Sequence, residues 1–184
     1  PTATGRTTWN DPPTLTSRVG LHRRGHTSST FAKTQWRMEL WDERGDDRNV
    51  SLVGMPAEAD WVLHGPYVQD RSLLRNALVY ELGRQIGQYA PRTRFVEVYA
   101  NTNGGAVKSA DYTGLYVLAE DIQLGQDRIN ISALTRLDNE LPDITGGYVI
   151  RSGNEFLTEQ GTNFSLENPS RGAITTQQNA YLRD

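Results

Sequence analysis

Apolar and polar residues alternate with period two from Thr34 to Trp41 (TQWRMELW), the pattern of a strand with one face buried. A second strand is expected at Arg18 to Arg24 (RVGLHRR), and the polar stretch Gly25 to Thr30 (GHTSST) between them reads as the turn of a hairpin. Asp42 to Asn49 forms a further turn around Gly45, Val50 to Val53 resumes as a short strand, and Trp61 to Leu63 is another short apolar run. The period then changes. Asp70 or Ser72 caps a helix that runs to Ile86, where Gly87 ends it and Pro91 prevents its continuation. Two β-branched and aromatic runs follow, Thr93 to Tyr99 and Gly114 to Asp121, joined by the Asn- and Gly-rich residues 101 to 111 as a second antiparallel hairpin. Beyond them come a short segment at Ile129 to Leu134, a strand at Gly147 to Ile150, a loop from Ser152 to Gly172, and a Thr-capped helix from Ile174. The map is β-β-α-β-β with a trailing strand and helix, an α+β arrangement in which an antiparallel sheet carries one main packed helix, residues 70–86.

At about 100° per residue, Leu74, Ala77, Leu78 and Leu82 share one arc of that helix. Glu81 falls inside the arc, where an ionised carboxylate would be partly desolvated and would need a cation. Lys33, at the start of the second strand, is the expected partner. Two structural alternatives stay open: Glu81 leans to solvent past Ala77, or it pairs with Arg84 or Arg23.

Composition narrows the function classes. The chain has 184 residues, 36% of them hydrophobic, enough for one domain or part of one. A net charge of −3 with cations scattered among acids argues against nucleic acid as a partner. Cysteine is absent, which excludes disulfides and thiolate metal sites. No apolar run approaches the roughly 20 residues of a membrane span, and the start shows no signal-peptide pattern. With no initiator Met and a last helix that lacks a closing Gly or Pro, the chain is expected to be a portion of a longer protein.

Arg24-Gly25-His26-Thr27-Ser28-Ser29 combines a glycine, hydroxyls and successive backbone N–H groups just before Lys33, which is the chemistry of a phosphate cradle without the ending of a Walker loop. The order of strand, polar turn, lysine-bearing strand, glutamate-bearing helix and two further strands is that of a protein-kinase small lobe.

The words RRGHTSSTFAKTQWRMELW, WVLHGPYVQDRSLLRNALVYELGRQIGQYAPRTRFVEVY, GLYVLAEDI, RINI and DITGGYVI resemble the spore-coat protein H (CotH) kinase family over roughly Val19 to Ile150. The resemblance implies an atypical kinase fold: a small lobe, the start of a second lobe, and an N-terminal extension at residues 1–17. It also implies phosphate transfer from ATP, with a divalent metal such as Mg, to Ser or Thr of secreted, surface or coat proteins, and a place outside the cell or in a coat, with an assembly partner there. By position it assigns nucleotide contact to Arg24, Gly25, Thr27, Ser28, Ser29 and Lys33, and carries over Glu81 and Glu120. Arg75 and Asn76 either contact substrate or form a network that holds the loop Gly65 to Asp70. Glu120 either positions the nucleotide or caps the hairpin. Tyr148 and Arg151 either border the adenine site or serve packing and surface.

The departures limit these expectations. The family's catalytic base and metal-binding acids lie in words absent from this sequence, and Asp127, Asp138 and Asp143 match neither. No catalytic or metal residue is therefore expected in this portion, which alone should bind nucleotide poorly and should not turn over. His26 stands where Asn is common, and the insertion Thr102 to Asp111 lengthens a usually tight hairpin into a surface elaboration. A noncatalytic coat or adhesion protein that retains the fold is the competing class, with the insertion and Trp9, Trp36, Trp41 and Tyr112 as its exposed decoration. A carbohydrate-binding β module conflicts with the central helix, and the sequons at Asn49, Asn130 and Asn163 discriminate nothing.

Overall fold

The structure is a computed structural model that describes residues 8, 11–25, 27–68 and 70–184, with the Thr27 side chain left aside. Trp9 and His26 lie outside the described residues. The chain divides into two compact units, Pro1–Asp121 and Ile122–Asp184.

The first unit is built on five antiparallel strands: β1 (Arg18–Arg24), β2 (Gln35–Trp41), β3 (Asp60–His64), β4 (Thr93–Tyr99) and β5 (Tyr112–Glu120). Their order across the sheet is β1-β2-β3-β5-β4. Both expected hairpins form, β1 with β2 and β4 with β5. Helix α1 (Arg75–Gln85) and β4 lie between β3 and β5 in the chain, yet β3 and β5 are neighbours in the sheet. Alternation along the strands sends Met38, Leu40, Trp61, Leu63, Val96 and Leu118 to one face, where they join Met55, Val50 and Leu52 from the segment after β2 in the main core. Trp61 is fully buried there.

Val50 to Val53 does not form a strand. Val50 makes an isolated bridge to Glu58, and the chain then reverses at Val53 and Gly54, both at positive φ. That turn lets Met55 fold back into the core, which a straight strand would not.

Helix α1 also departs from expectation, at its start and in its facing. Leu73 is left-handed, with φ of 61°, so helical geometry cannot run through it from Asp70 or Ser72. Asp70 and Ser72 still serve the helix start: Asp70 accepts from the Arg75 N–H at 2.9 Å and from the Ser72 hydroxyl at 2.6 Å, and Ser72 accepts from the Leu74 N–H. At the other end Gly87, with φ of 80°, terminates the helix as expected. Ala77 is its one buried residue, and Tyr80, Gly83 and Arg84 are half-buried at three- and four-residue spacing. The expected inner arc is turned out, with Leu74, Leu78 and Leu82 each more than half exposed. The physical reason lies in Gly83 and Arg84. A Cβ on Gly83 would come within 3.3 Å of Ala90, and the Arg84 guanidinium donates to the carbonyl of Pro91, which fixes the rotation of the helix against that segment.

In the second unit, β6 (Val149–Leu157) and β7 (Asn163–Asn168) form an antiparallel hairpin where the sequence reads as a short strand and a loop. Phe156 stacks on Phe164 at 5.0 Å, and Leu166, Tyr148, Ile174 and Leu182 complete this core. Polar residues interrupt the alternation, and register shifts along β6 blur its period. Helix α2 (Thr176–Tyr181) starts at the Thr175 cap as expected, and the buried Gln178 donates to the carbonyls of Thr135 and Asp138.

Candidate functional site

Gly25 follows β1 at φ of 100°, and a one-turn 3-10 helix, Thr27–Thr30, brings the Ser28 hydroxyl over it. A Cβ at residue 25 would lie 2.1 Å from Ser28 Oγ, so the turn requires glycine on both counts. Ser28 and Phe31 then line a cavity of about 420 Å³ together with Gln35 of β2, His64 to Tyr67 at the end of β3, and Asp70, Arg75 and Asn76 before and within the first turn of α1. Phe31 and Tyr67 face one another at 5.9 Å. His64 Nδ1 and Gln35 Oε1 share a hydrogen bond of 2.9 Å.

His64, which lines this cavity, feels the charges around it. Burial holds His64 below its ordinary pKa, the charges of Arg24 and Lys33 push it the same way, and Asp70 opposes them. Asp70 is itself held low, first by the Ser72 hydroxyl and then by the Arg75 N–H, against the effect of its burial. Two cations, Arg24 and Lys33, therefore act on the His64 wall of the cavity, and an acid tied into the start of α1 lines it. Arg75 and Asp70 approach at 3.8 Å, so the network holding the loop before α1 is present and lines the cavity as well.

Lys33 precedes β2 and does not meet Glu81. Its ammonium donates to the carbonyl of Leu115 at 2.5 Å and lies 4.8 Å from the centre of the Tyr116 ring, while its stem passes Gly65 and Gly114. Burial lowers its pKa. Glu81 is half exposed and engages Gln85 at 3.0 Å and Arg84, and these bonds, Gln85 first, keep its pKa low. The expected Lys33–Glu81 pair is thus replaced by a pair within the helix, one of the alternatives the sequence leaves open. The cause is the rotation of α1: Arg84 is anchored at Pro91, three residues along the helix from Glu81 and within reach of it.

Glu120 lies at the far end of β5, five residues and roughly 17 Å of extended strand beyond Leu115. Its buried carboxylate accepts from the Arg92 N–H and guanidinium, each at 2.8 Å, and so ties the start of β4 to the end of β5. Of the expected site residues Ser28 lines the cavity, Gly25 and Ser29 belong to the same turn, and Arg24 and Lys33 act on its His64 wall through their charge, whereas Glu81 and Glu120 are elsewhere. In the second unit Tyr148 packs in the aromatic core and stacks on Tyr181, and Arg151 pairs with Glu167.

Sequence reasoning missed Gln35, His64, Phe31 and Tyr67. The available signal was the Gly65-Pro66 stop directly after a strand, which opens a loop beside the polar turn. Of the expected decoration, Tyr112 is exposed, whereas Trp36 and Trp41 are half-buried, Trp41 against Gly20. The insertion is exposed and held by Asn101, which donates to Gly105 and Ala106. Among the described residues, no group of three or more His, Cys, Asp or Glu side chains is arranged to hold a metal, and no helix is long and apolar enough to cross a membrane.

The fold and site define an α+β protein with an antiparallel sheet and a cavity lined by Ser28 of a polar turn and by the start of a helix. The chain belongs to the CotH kinase protein family, whose pattern it matches over residues 21–181. Comparison with curated proteins gave no match.

Proposed function

We propose that this chain forms the nucleotide-positioning, kinase-like small lobe of an ATP-dependent protein kinase whose acceptors are Ser or Thr residues of secreted, surface or coat proteins. The observation that carries the reading is the cavity lined by Ser28 of the polar turn and by Asp70, Arg75 and Asn76 at the start of α1, whose His64 wall feels the charges of Arg24 and Lys33. Family membership supports the reaction class. The residue types suit the phosphates of ATP: the cations Arg24 and Lys33 both act on His64 of the cavity wall, and a glycine and the hydroxyl residues Ser28 and Ser29 lie between them in the chain.

ATP supplies the transferable phosphoryl group. Lys33 holds nonbridging oxygens, with one of its three donors on Leu115 and the others toward phosphate. Backbone N–H groups of residues 25 and 27 to 29, with the Ser28 and Ser29 hydroxyls, cradle the outer phosphates, and Arg24 adds charge. Glu120 acts at one remove by fixing the end of β5. Glu81 acts on Lys33 only by giving up Arg84 and Gln85. Among the described residues no group of three or more His, Cys, Asp or Glu side chains is placed to hold a divalent cation.

A second reading, a noncatalytic coat or adhesion component, is favoured by the engagement of Glu81 with Arg84 instead of Lys33. One experiment separates the two: ATP-dependent phosphorylation of a Ser/Thr-containing acceptor by the full-length protein and its Lys33→Ala variant. Loss of transfer by at least about 100-fold is expected, in line with removal of a positioned transition-state donor. Undiminished transfer in the variant would overturn the kinase role of Lys33.

A further inference from the structure

The lysine of this site is held from the sheet. The chain contains 19 Lys and Arg residues, of which only Lys33 and Lys108 are lysines. Arginine thus serves nearly every cationic position, and Lys33 is an exception with a structural reason. Its ammonium sits 4.8 Å from the Tyr116 ring centre and donates to the Leu115 carbonyl. The paired register of β3 with β5 stops at His64 opposite Val117, and the chain continues there through Gly65, beside which the lysine stem runs.

The passage is narrow. A Cβ on Gly65 would stand 2.9 Å from Tyr116 Cε1 and 3.1 Å from Lys33 Cγ, both tighter than ordinary contact. A compact ammonium on an unbranched stem fits such a channel, whereas a planar guanidinium with five donors presents a broader head. Tyr116 is 2% exposed and lies within β5, paired with Val96, so the ring is fixed by the sheet.

We propose that Tyr116, together with the Leu115 carbonyl, positions Lys33 for its anionic ligand, in the place a helix carboxylate would otherwise take, with Gly65 keeping the channel open. The proposal rests on the reading of Lys33 as the phosphate-facing cation. It makes Tyr116 a positioning residue and makes the placement of Lys33 independent of Glu81.

The test uses the chain with 13C-labelled lysine and Lys108→Arg, which leaves Lys33 as its one lysine. A lysine over a ring face has ε-methylene protons displaced upfield by the ring current. The displacement is expected in the otherwise unaltered chain, in Tyr116→Phe and in Glu81→Gln, and its loss is expected in Tyr116→Leu. An undisplaced signal with Tyr116 intact, or a signal that moves in Glu81→Gln, overturns the proposal, and neither measurement depends on how Tyr116→Leu folds. Titration with ATP, followed on the same signal, supplies a second readout: Tyr116→Leu should weaken binding by about 2- to 30-fold, the span of a cation–π contact, and Tyr116→Phe should restore it. A displaced signal with no response to ATP in any form would support the positioning and remove the phosphate reading, so the two can fail separately.

Discussion

Replacing Glu120 by Ala separates a structural clip from a nucleotide contact, and the structure sets the size of the effect. The carboxylate is fully buried and accepts two bonds of 2.8 Å, one from the Arg92 N–H and one from its guanidinium. Breaking a buried ion pair by removing one partner costs about 3–5 kcal/mol, and a backbone N–H deprived of its acceptor costs about 1–3 kcal/mol within that total. The Arg92 side chain is 38% exposed and can recover water, which places the sum at the low end, about 3 kcal/mol. For a chain of this size that corresponds to a fall in Tm of about 6–12 °C. Glu120→Gln keeps an acceptor for the N–H but loses the charge and should cost less, about 1–2 kcal/mol. The assay is denaturant unfolding of both variants and of Arg92→Ala, alone and combined with Glu120→Ala, so that the coupling between the two residues is read directly. A loss below 1 kcal/mol for Glu120→Ala, or additive effects in the double variant, would refute the clip.

Two further predictions follow from geometry. A Cβ on Gly153 of β6 would meet Ser165 Cβ at 2.5 Å and the Ser165 backbone N at 3.0 Å, atoms that cannot swing aside. Gly153→Ala should therefore destabilise the β6–β7 hairpin by about 1–3 kcal/mol, measured as lost amide-exchange protection there, and unchanged protection would contradict the close approach. The pKa of His64 is depressed by burial and by Arg24 and Lys33, so between pH 6.5 and its folded pKa the unfolded chain binds more protons. Its contribution to stability is complete above about pH 6.5 and is lost as pH falls through the folded pKa. Urea midpoints from pH 7.5 down to 5.5 should accordingly fall more steeply for the chain as it stands than for His64→Gln, and parallel curves would sink the argument.

Much of this organisation is legible in the sequence because it rests on local rules. Period-two alternation locates β2, β-branched and aromatic runs locate β4 and β5, and Gly87 marks the end of α1. The polar stretch before Lys33 is legible as the connection between β1 and β2 through its residue types alone. The β6–β7 hairpin stays hidden because its pattern is interrupted by register shifts, and its core forms from Phe156, Phe164 and Leu166 across the pair. The start of α1 is hidden for a different reason: the left-handed Leu73 has no signature in a leucine.

The sequence alone determined the family, the antiparallel hairpins and the identity of the lysine. Those follow from residue types at fixed spacing along one chain. Only the tertiary structure decided how that lysine is held. The rotation of α1 was set by Gly83 against Ala90 and by Arg84 against Pro91, contacts that helical periodicity does not contain. With the helix so turned, Glu81 took Arg84 and Gln85, and Lys33 was left to the ring of Tyr116 and the carbonyl of Leu115, more than 80 residues away along the chain. A charge inside a helix arc predicts the need for a partner. Which partner meets it depends on which groups packing brings within a few ångströms.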